Sequence, residues 1–364
     1  MISERCFSKE WLESFRKEQA HQKIDQLILE KMIYALHLVE RLKTNGLEFI
    51  FKGGTSLILL LEKGNRFSID IDIVSTVSRE KLEDILNDVI NTSRFSTFQL
   101  DTLRSYKVGV PKAHYIFSFE SAFHSRFSGK ILLDILIEEN LYPEVISKPI
   151  STKWIQTERE VKVMMPSVDS ITGDKLTAFA PNTVGIPYEK KGQSCSMEMC
   201  KQLFDLGKLF DKLENIETVA ESFFSFANRE IMYRESPAES FPLTPELVLR
   251  DTIDTCVIIA KRGKGTQEEK VKFSQLQAGI RAFGSSFLME DKFRIEDAIT
   301  AAGKVAYLAG KIMKSDYTPL EKYEPSKADA LMVDDQRWNF LNRLRKLPDT
   351  SGFFYWYQAL PFIS

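Results

Sequence analysis

Cysteine is scarce in this sequence, four among 364 residues, which excludes a disulfide framework as the basis of the fold. Cys195 and Cys200 stand close together, yet no second cysteine or histidine pair lies nearby to complete a metal site, so both are read as structural. Histidine is equally scarce. His21, His37, His114 and His124 offer no triad spacing with any serine, and hydrolase readings have nothing to build on. No apolar run approaches the roughly 18 residues that cross a bilayer. The opening stretch MISERCFSKEWLESFRKEQ mixes acids with bases and lacks the apolar core of a signal peptide, so a cytoplasmic location without a membrane partner is expected. An excess of one charge is missing too: 49 basic against 51 acidic residues leave a net −2, with no global pull toward nucleic acid. Any nucleic-acid contact must come from a local basic surface. Lys148, Lys153, Lys162, Lys190, Lys191 and the segment RWNFLNRLRK at 337–346 are the candidates. That segment reads as one helix carrying Arg337, Arg343, Arg345 and Lys346, with a solvated helix face as the alternative.

What is present is ordinary for a globular chain, 43% apolar and 27% charged, with length enough for about two domains. Residues 8–45 carry helical periodicity, with Ile24, Leu27, Ile28, Met32, Ile33, Leu36 and Val39 at three- and four-residue steps and Asn45-Gly46 as the stop. LEFIF at 47–51 reads as a short strand, Leu57 to Leu61 as a helix start broken by Gly64-Asn65, and SIDIDIV at 68–74 as a strand. Residues 79–92 return to helix with Leu82, Ile85, Leu86 and Val89 on one side, and AHYIFSFES, KILLDILIEE and EVKVMM are further strands. From about Asp169 the pattern is almost entirely helical. The expected fold class is therefore α/β (α+β), a mixed sheet core with N-terminal helices over 1–166 and a helical domain over 167–364. The aromatic cluster GFFYWYQ at 352–358 reads as a terminal helix docked by its rings, with base stacking as the rival reading.

The chemistry concentrates in Lys52 to Val74, KGGTSLILLLEKGNRFSIDIDIV. On a strand, residues two apart share a face, so Asp70 and Asp72 point one way while Ile69, Ile71 and Ile73 point into a core. Two like charges held this close repel, and a divalent cation neutralises them best; hard carboxylates suit magnesium. Upstream, Gly53-Gly54 lets the backbone approach an anion, and Thr55 and Ser56 open a helix whose first N–H groups favour phosphate. Each feature alone is commonplace, a turn before a helix or a polar strand edge. Their order, with thirteen residues between Ser56 and Asp70, points to a nucleotide. Arg66 and Ser68, just ahead of the strand, brace the loop or touch a phosphate.

GGTS…RFSIDID resembles the first motif of the nucleotidyltransferase superfamily, in the form used by AbiEii/AbiGii-type toxins of type IV toxin–antitoxin systems. The resemblance implies that Gly53, Gly54, Thr55 and Ser56 hold the triphosphate and that Asp70 and Asp72 bind magnesium. A third acid on a neighbouring strand matches Asp134 in KILLDILIEE, which lies mid-strand among apolar residues where an unpaired charge is costly, with Glu138 as the fallback. SVDSITGDKLTAFAP resembles the third motif, whose lysine matches Lys175, and KQLFDLGKLFD the fourth, which carries over Lys201 and Asp205. Gln202 stands where another aspartate is expected, a departure from the pattern. Read without the family, Lys175 and Lys201 are ordinary solvated helix residues. The likeness spans about residues 30–215, and the last 150 residues match no motif.

The activity so implied is transfer of a nucleoside monophosphate from an NTP to an acceptor hydroxyl, with two magnesium ions ~3.5–4 Å apart. Asp70 and Asp72 would bridge the ions. Asp134 would bind the catalytic one, with a part in deprotonating the acceptor also open to it. Lys175 and Lys201 would offset phosphate charge. A toxin acting on RNA, with the tRNA 3′ end favoured and a cognate antitoxin encoded nearby, is the first reading. Nucleotidylation of a protein and a non-catalytic nucleotide-binding module are the alternatives. The intact trio Asp70, Asp72 and Asp134 argues against the last.

Overall fold

The computed structural model of the protein describes residues 1–17, 24–61, 66–105, 109–123, 128–234, 242–288 and 292–364. The expected break at Gly64-Asn65 lies outside them, as do His21 and His124. The chain divides into two compact units, Met1–Ser167 with Phe287–Asp291, and Val168–Ser286 with Lys292–Ser364.

The first unit is a mixed sheet with helices, built from α1 (Lys9–Ser14), α2 (Gln26–Thr44), β1 (Ile50–Lys52), α3 (Gly53–Leu60), β2 (Ile71–Val74), α4 (Arg79–Thr92), β3 (Phe95–Leu100), α5 (Thr102–Ser105), β4 (Lys112–Glu120), β5 (Ser128–Leu136), β6 (Val145–Pro149) and β7 (Lys162–Pro166). The seven strands run in the order β3-β4-β5-β2-β1-β7-β6. Two pairs are parallel, β2 with β5 and β1 with β7, and the rest are antiparallel.

Local signals explain the best-formed elements. Asp25 caps α2 by accepting from the backbone N–H groups of Leu27 and Ile28, and the helix stops at Asn45 and Gly46, where φ reaches +87°. Ser78 caps α4, whose buried residues are Leu82, Ile85, Leu86 and Val89, one stripe at the period of a helix. Along β4 the alternate residues Ala113, Tyr115, Phe117 and Phe119 are buried, and along β5 Ile131, Leu133 and Ile135. His114 and Asp134 fall between them and so lie on the opposite face. In β2, Ile71 and Ile73 are buried and Asp72 between them is not.

Several boundaries differ from the expectation. Strand β2 begins at Ile71, so Asp70 precedes it and is exposed, and Ile69 is only half-buried. Helix α3 begins at Gly53 itself, directly after β1. The edge strands β3 and β6, absent from the expectation, carry polar residues and, in β6, a proline, and so lack the apolar runs of the central strands.

The second unit comprises α6 (Val168–Ala178), a hairpin of β8 (Glu189–Lys190) and β9 (Gln193–Ser194), α7 (Ser196–Phe210), α8 (Ile216–Met232), α9 (Pro245–Lys261), α10 (Gln267–Ser286), α11 (Ile295–Met313), α12 (Pro325–Asp329) and α13 (Ser351–Ile363). Helix α11 packs against α7, α9 and α13. The terminal aromatics are core residues: Phe353, Phe354, Tyr355 and Trp356 are buried, and the Trp356 indole donates to Ile299 O at 3.0 Å. These four rings are therefore not available to stack on bases, and of the cluster's aromatics Tyr357 alone is half-buried. The segment read as a basic helix is a 3-10 helix, Asn339–Lys346. Arg343 and Arg345 donate to the backbone oxygens of Ala260 and Asp329, and Arg337 lies outside the helix, paired with Asp335. No helix among the described residues is long and apolar enough to cross a membrane.

Candidate active site

The passage from β1 into α3 dictates both glycines. Gly53 sits at φ +74°, the left-handed region, and a Cβ built there would lie 2.7 Å from Asp72 Cγ and nearer still to Oδ2. The loop backbone is thus pressed against the Asp72 carboxylate. A Cβ on Gly54 would lie 2.9 Å from Ser68 Oγ and nearer still to the Arg66 guanidinium. Arg66 is buried, with its guanidinium beside Gly54, and donates to Phe67 O at 3.2 Å. The hydroxyls of Thr55 and Ser56 serve the loop itself: Thr55 Oγ1 donates to Asp70 O at 2.6 Å and Ser56 Oγ to Gly53 O at 2.9 Å. Both side chains are fully buried. The N-cap of α3 is the extended Lys52, whose own side chain does not cap the helix. At the start of any helix the first backbone N–H groups and the positive end of the dipole favour an anion.

Register assembles the acids. Lys52 pairs with Asp72 across β1 and β2, Asp72 with Asp134 across β2 and β5, and Asp134 with His114 across β5 and β4. One row of four side-chain positions therefore crosses four strands, two carboxylates flanked by a lysine and a histidine. Asp70 lies at the entry to β2 and Glu138 two residues beyond the end of β5. Asp134 is held at both oxygens, by His114 Nδ1 at 2.6 Å from Oδ1 and by an Arg104 Nη at 3.1 Å from Oδ2. Neither His114 nor Arg104 is a site residue by any motif of the sequence. The alternation of AHYIFSFE does put His114 on the polar face, but nothing local singles out Arg104.

The helical unit holds a second cluster. Lys175 on α6 donates to Asp205 Oδ2 at 2.7 Å and to Gln202 Oε1 at 3.1 Å, both on α7. Lys175 is 5% and Asp205 2% exposed, so Lys175 is no solvated helix residue. Gln202, the departure from the family pattern, supplies an oxygen to Lys175 without a second negative charge. Lys201 is half-buried on the same helix. The structure thus brings together Gly53, Asp72 and Asp134 in one unit, and Lys175, Gln202 and Asp205 in the other.

The donor set fits a hard divalent cation. Among the described residues no three acids, histidines or cysteines converge as a metal-holding group. Two register-paired carboxylates suffice for magnesium, which takes its remaining ligands from water and substrate phosphates. Asp72 and Asp134 are register partners on β2 and β5.

The chain matches one protein-family model and is similar to solved structures. A family model described as nucleotidyl transferase AbiEii toxin, type IV TA system, matches residues 37–262. A crystal structure of a putative nucleotidyltransferase from H. pylori is similar at 14% identity and TM-score 0.40, covering 79% of this chain and 94% of that one. MenT4, a nucleotidyltransferase toxin from Mycobacterium tuberculosis H37Rv, is similar at 10% identity and TM-score 0.43, covering 81% and 98%. No curated protein sequence matches.

Proposed function

The chain belongs to the AbiEii family of nucleotidyltransferase toxins, and we propose that it moves a nucleoside monophosphate from a nucleoside triphosphate to an acceptor hydroxyl, releasing pyrophosphate. The single observation that carries this reading is the register of Asp72 with Asp134, with the Gly53 backbone set against Asp72. Phosphates need backbone donors and a carboxylate-held cation side by side, and these residues offer both.

In this proposal Asp72 and Asp134 hold magnesium, with Asp70 contributing from the entry to β2. Magnesium, when bound, offsets the charge that builds on the phosphates and orients the attacking and leaving oxygens. Gly53 and Gly54 keep side chains out of the path of the triphosphate. Thr55, Ser56, Arg66 and Ser68 hold the loop in shape, and the α3 N-terminus faces the anion. Lys175 and Lys201 are assigned to neutralising phosphate charge, with Asp205 holding Lys175. The proposed acceptor is RNA, with the tRNA 3′ end favoured, and the proposed partner is an antitoxin encoded nearby.

Purified protein incubated with each labelled nucleoside triphosphate, magnesium, total RNA and lysate protein tests this directly. Label in RNA is expected with the wild type and in none of Asp70→Asn, Asp72→Asn and Asp134→Asn, all three remaining folded. Label in protein alone would replace the RNA acceptor with a protein hydroxyl. Label in neither would refute transfer.

A further inference from the structure

We propose that Arg104 is an exchangeable counter-ion for Asp134, giving up the carboxylate when a divalent cation binds there, while His114 keeps Asp134 in position through the exchange. The proposal rests on the reading of Asp134 as a metal-holding residue.

The two groups on Asp134 are built differently. His114 belongs to the sheet, pairs with Asp134 in register and has a side chain 11% exposed. An ionised carboxylate only accepts hydrogen bonds, so Nδ1 carries the proton in the 2.6 Å contact. Nε2 is buried and has no hydrogen-bond partner among the described residues, leaving Asp134 as the ring's polar contact. His114 is therefore a permanent fixture. Arg104 reaches Asp134 from the single turn α5 with a side chain 45% exposed and one hydrogen bond at 3.1 Å. Its long stem can swing into solvent with little free-energy penalty.

The turn that carries Arg104 is fastened to the same residue. Asp101 N donates to His114 O at 2.8 Å, and His114 N donates to Ser105 Oγ at 2.9 Å. Ser105 Oγ in turn donates to Asp101 O at 2.7 Å. These bonds hold the arginine's Cα near Asp134 whichever way its side chain points, so the ion pair re-forms when the cation leaves. The device keeps a half-buried carboxylate neutralised without metal and costs affinity when metal binds. An ion pair this exposed is worth a factor of about two to five in an equilibrium constant, which bounds the effect.

Manganese titration of the full chain followed by electron paramagnetic resonance, without nucleotide, separates the possibilities. Arg104→Gln is expected to bind manganese about threefold tighter than wild type. His114→Phe is expected to bind more weakly, and His114→Asn, which keeps a donor near the position of Nδ1, to bind as wild type does. Arg104→Ala serves if the glutamine variant does not fold. Asp134→Asn is the control for the underlying reading: manganese bound as in wild type would remove Asp134 as a ligand and the proposal with it. If Asp134→Asn abolishes binding while both Arg104 variants bind no tighter than wild type, the metal site stands and the exchange is refuted. Equal binding by His114→Phe and wild type would refute the positioning role of His114.

Discussion

The adjacent glycines of the loop, although chemically identical, should fail in different ways when replaced by alanine. At position 53 alanine must adopt φ +74°, and its Cβ must also displace the Asp72 side chain, whose Cβ and Cγ would lie 2.8 and 2.7 Å away. The left-handed conformation alone costs roughly 1–2 kcal/mol for a residue with a Cβ, and overpacking against a strand adds about 1 kcal/mol or more. At position 54 no left-handed conformation is required, and the atoms nearest the new methyl are Ser68 Oγ and the end of Arg66. Overpacking alone then sets the cost, about 1 kcal/mol.

Because the chain folds as two units, a single unfolding midpoint would blur these effects. Native-state hydrogen exchange read at the amides of α3 and β2 resolves them, since protection there reports the local opening free energy. Gly53→Ala should lower that free energy by about 2–3 kcal/mol and Gly54→Ala by about 1 kcal/mol. Measured in an Arg66→Ala background, the added cost of Gly54→Ala should shrink and that of Gly53→Ala should stay the same, a non-additivity confined to the pair in contact. Equal reductions at the two positions, or a cost of Gly53→Ala that shrinks in the Arg66→Ala background, would refute the account of what each glycine faces.

Two further outcomes follow from the helical unit. Lys175→Met removes the cation 2.7 Å from a carboxylate that is 2% exposed, so the exchange protection of α6 and α7 should fall by about 3 kcal/mol. Lys175→Met combined with Asp205→Asn should fall by less, and protection unchanged in the single variant would refute the buried pair. Lys190 and Lys191 are exposed on the β8–β9 hairpin, whose turn has φ 52° at Lys191 and 77° at Gly192. If RNA binds here, reversing both charges should flatten the slope of log affinity against log salt by roughly 1.4, about 0.7 for each phosphate that is no longer neutralised. An unchanged slope would clear the hairpin of any role in holding phosphates.

The sequence made some of this legible because the information was local. Helix α4 follows from four apolar positions and a serine cap, and the faces of β4 and β5 follow from alternation. The order of a Gly-Gly loop ahead of D-x-D is plain in the sequence, but nothing in it announces that the Gly53 backbone packs against the Asp72 side chain. What stayed hidden depends on long-range pairing or on where hydrogen bonding begins. Strand β2 starts one residue after Asp70, so the two aspartates of D-x-D do not share a strand as the alternation implied. The match of Asp134 to the third acid came from family likeness, and only the parallel register of β2 with β5 puts it beside Asp72. Arg104 belongs to a four-residue helix in no motif. Lys175 and Asp205 lie 30 residues apart on two helices, and no periodicity within either helix announces their ion pair.

A row of charge across a sheet has consequences of its own. Neighbouring strands lie about 4.7–4.9 Å apart, and directly opposed like charges are destabilising. Asp72 and Asp134 are opposed in this way, with Lys52 in register on one side and His114 on the other. The Lys52 cation at one end of the row moderates the repulsion at its centre, His114 hydrogen-bonds Asp134 at the other end, and Arg104 adds a cation at Asp134. A sheet selected for stability alone would carry threonine or valine at these positions, which pack and pair without repulsion. Keeping two carboxylates at the centre, with donors at the flanks, holds ligands ready at a sacrifice of stability that binding a divalent cation on the proposed site would recover. Register, more than motif, is therefore what fixes the chemistry: a slip of one residue between β2 and β5 would turn Asp72 inward and present Ile71 or Ile73 to the site, ending both the fold's core and the row at once.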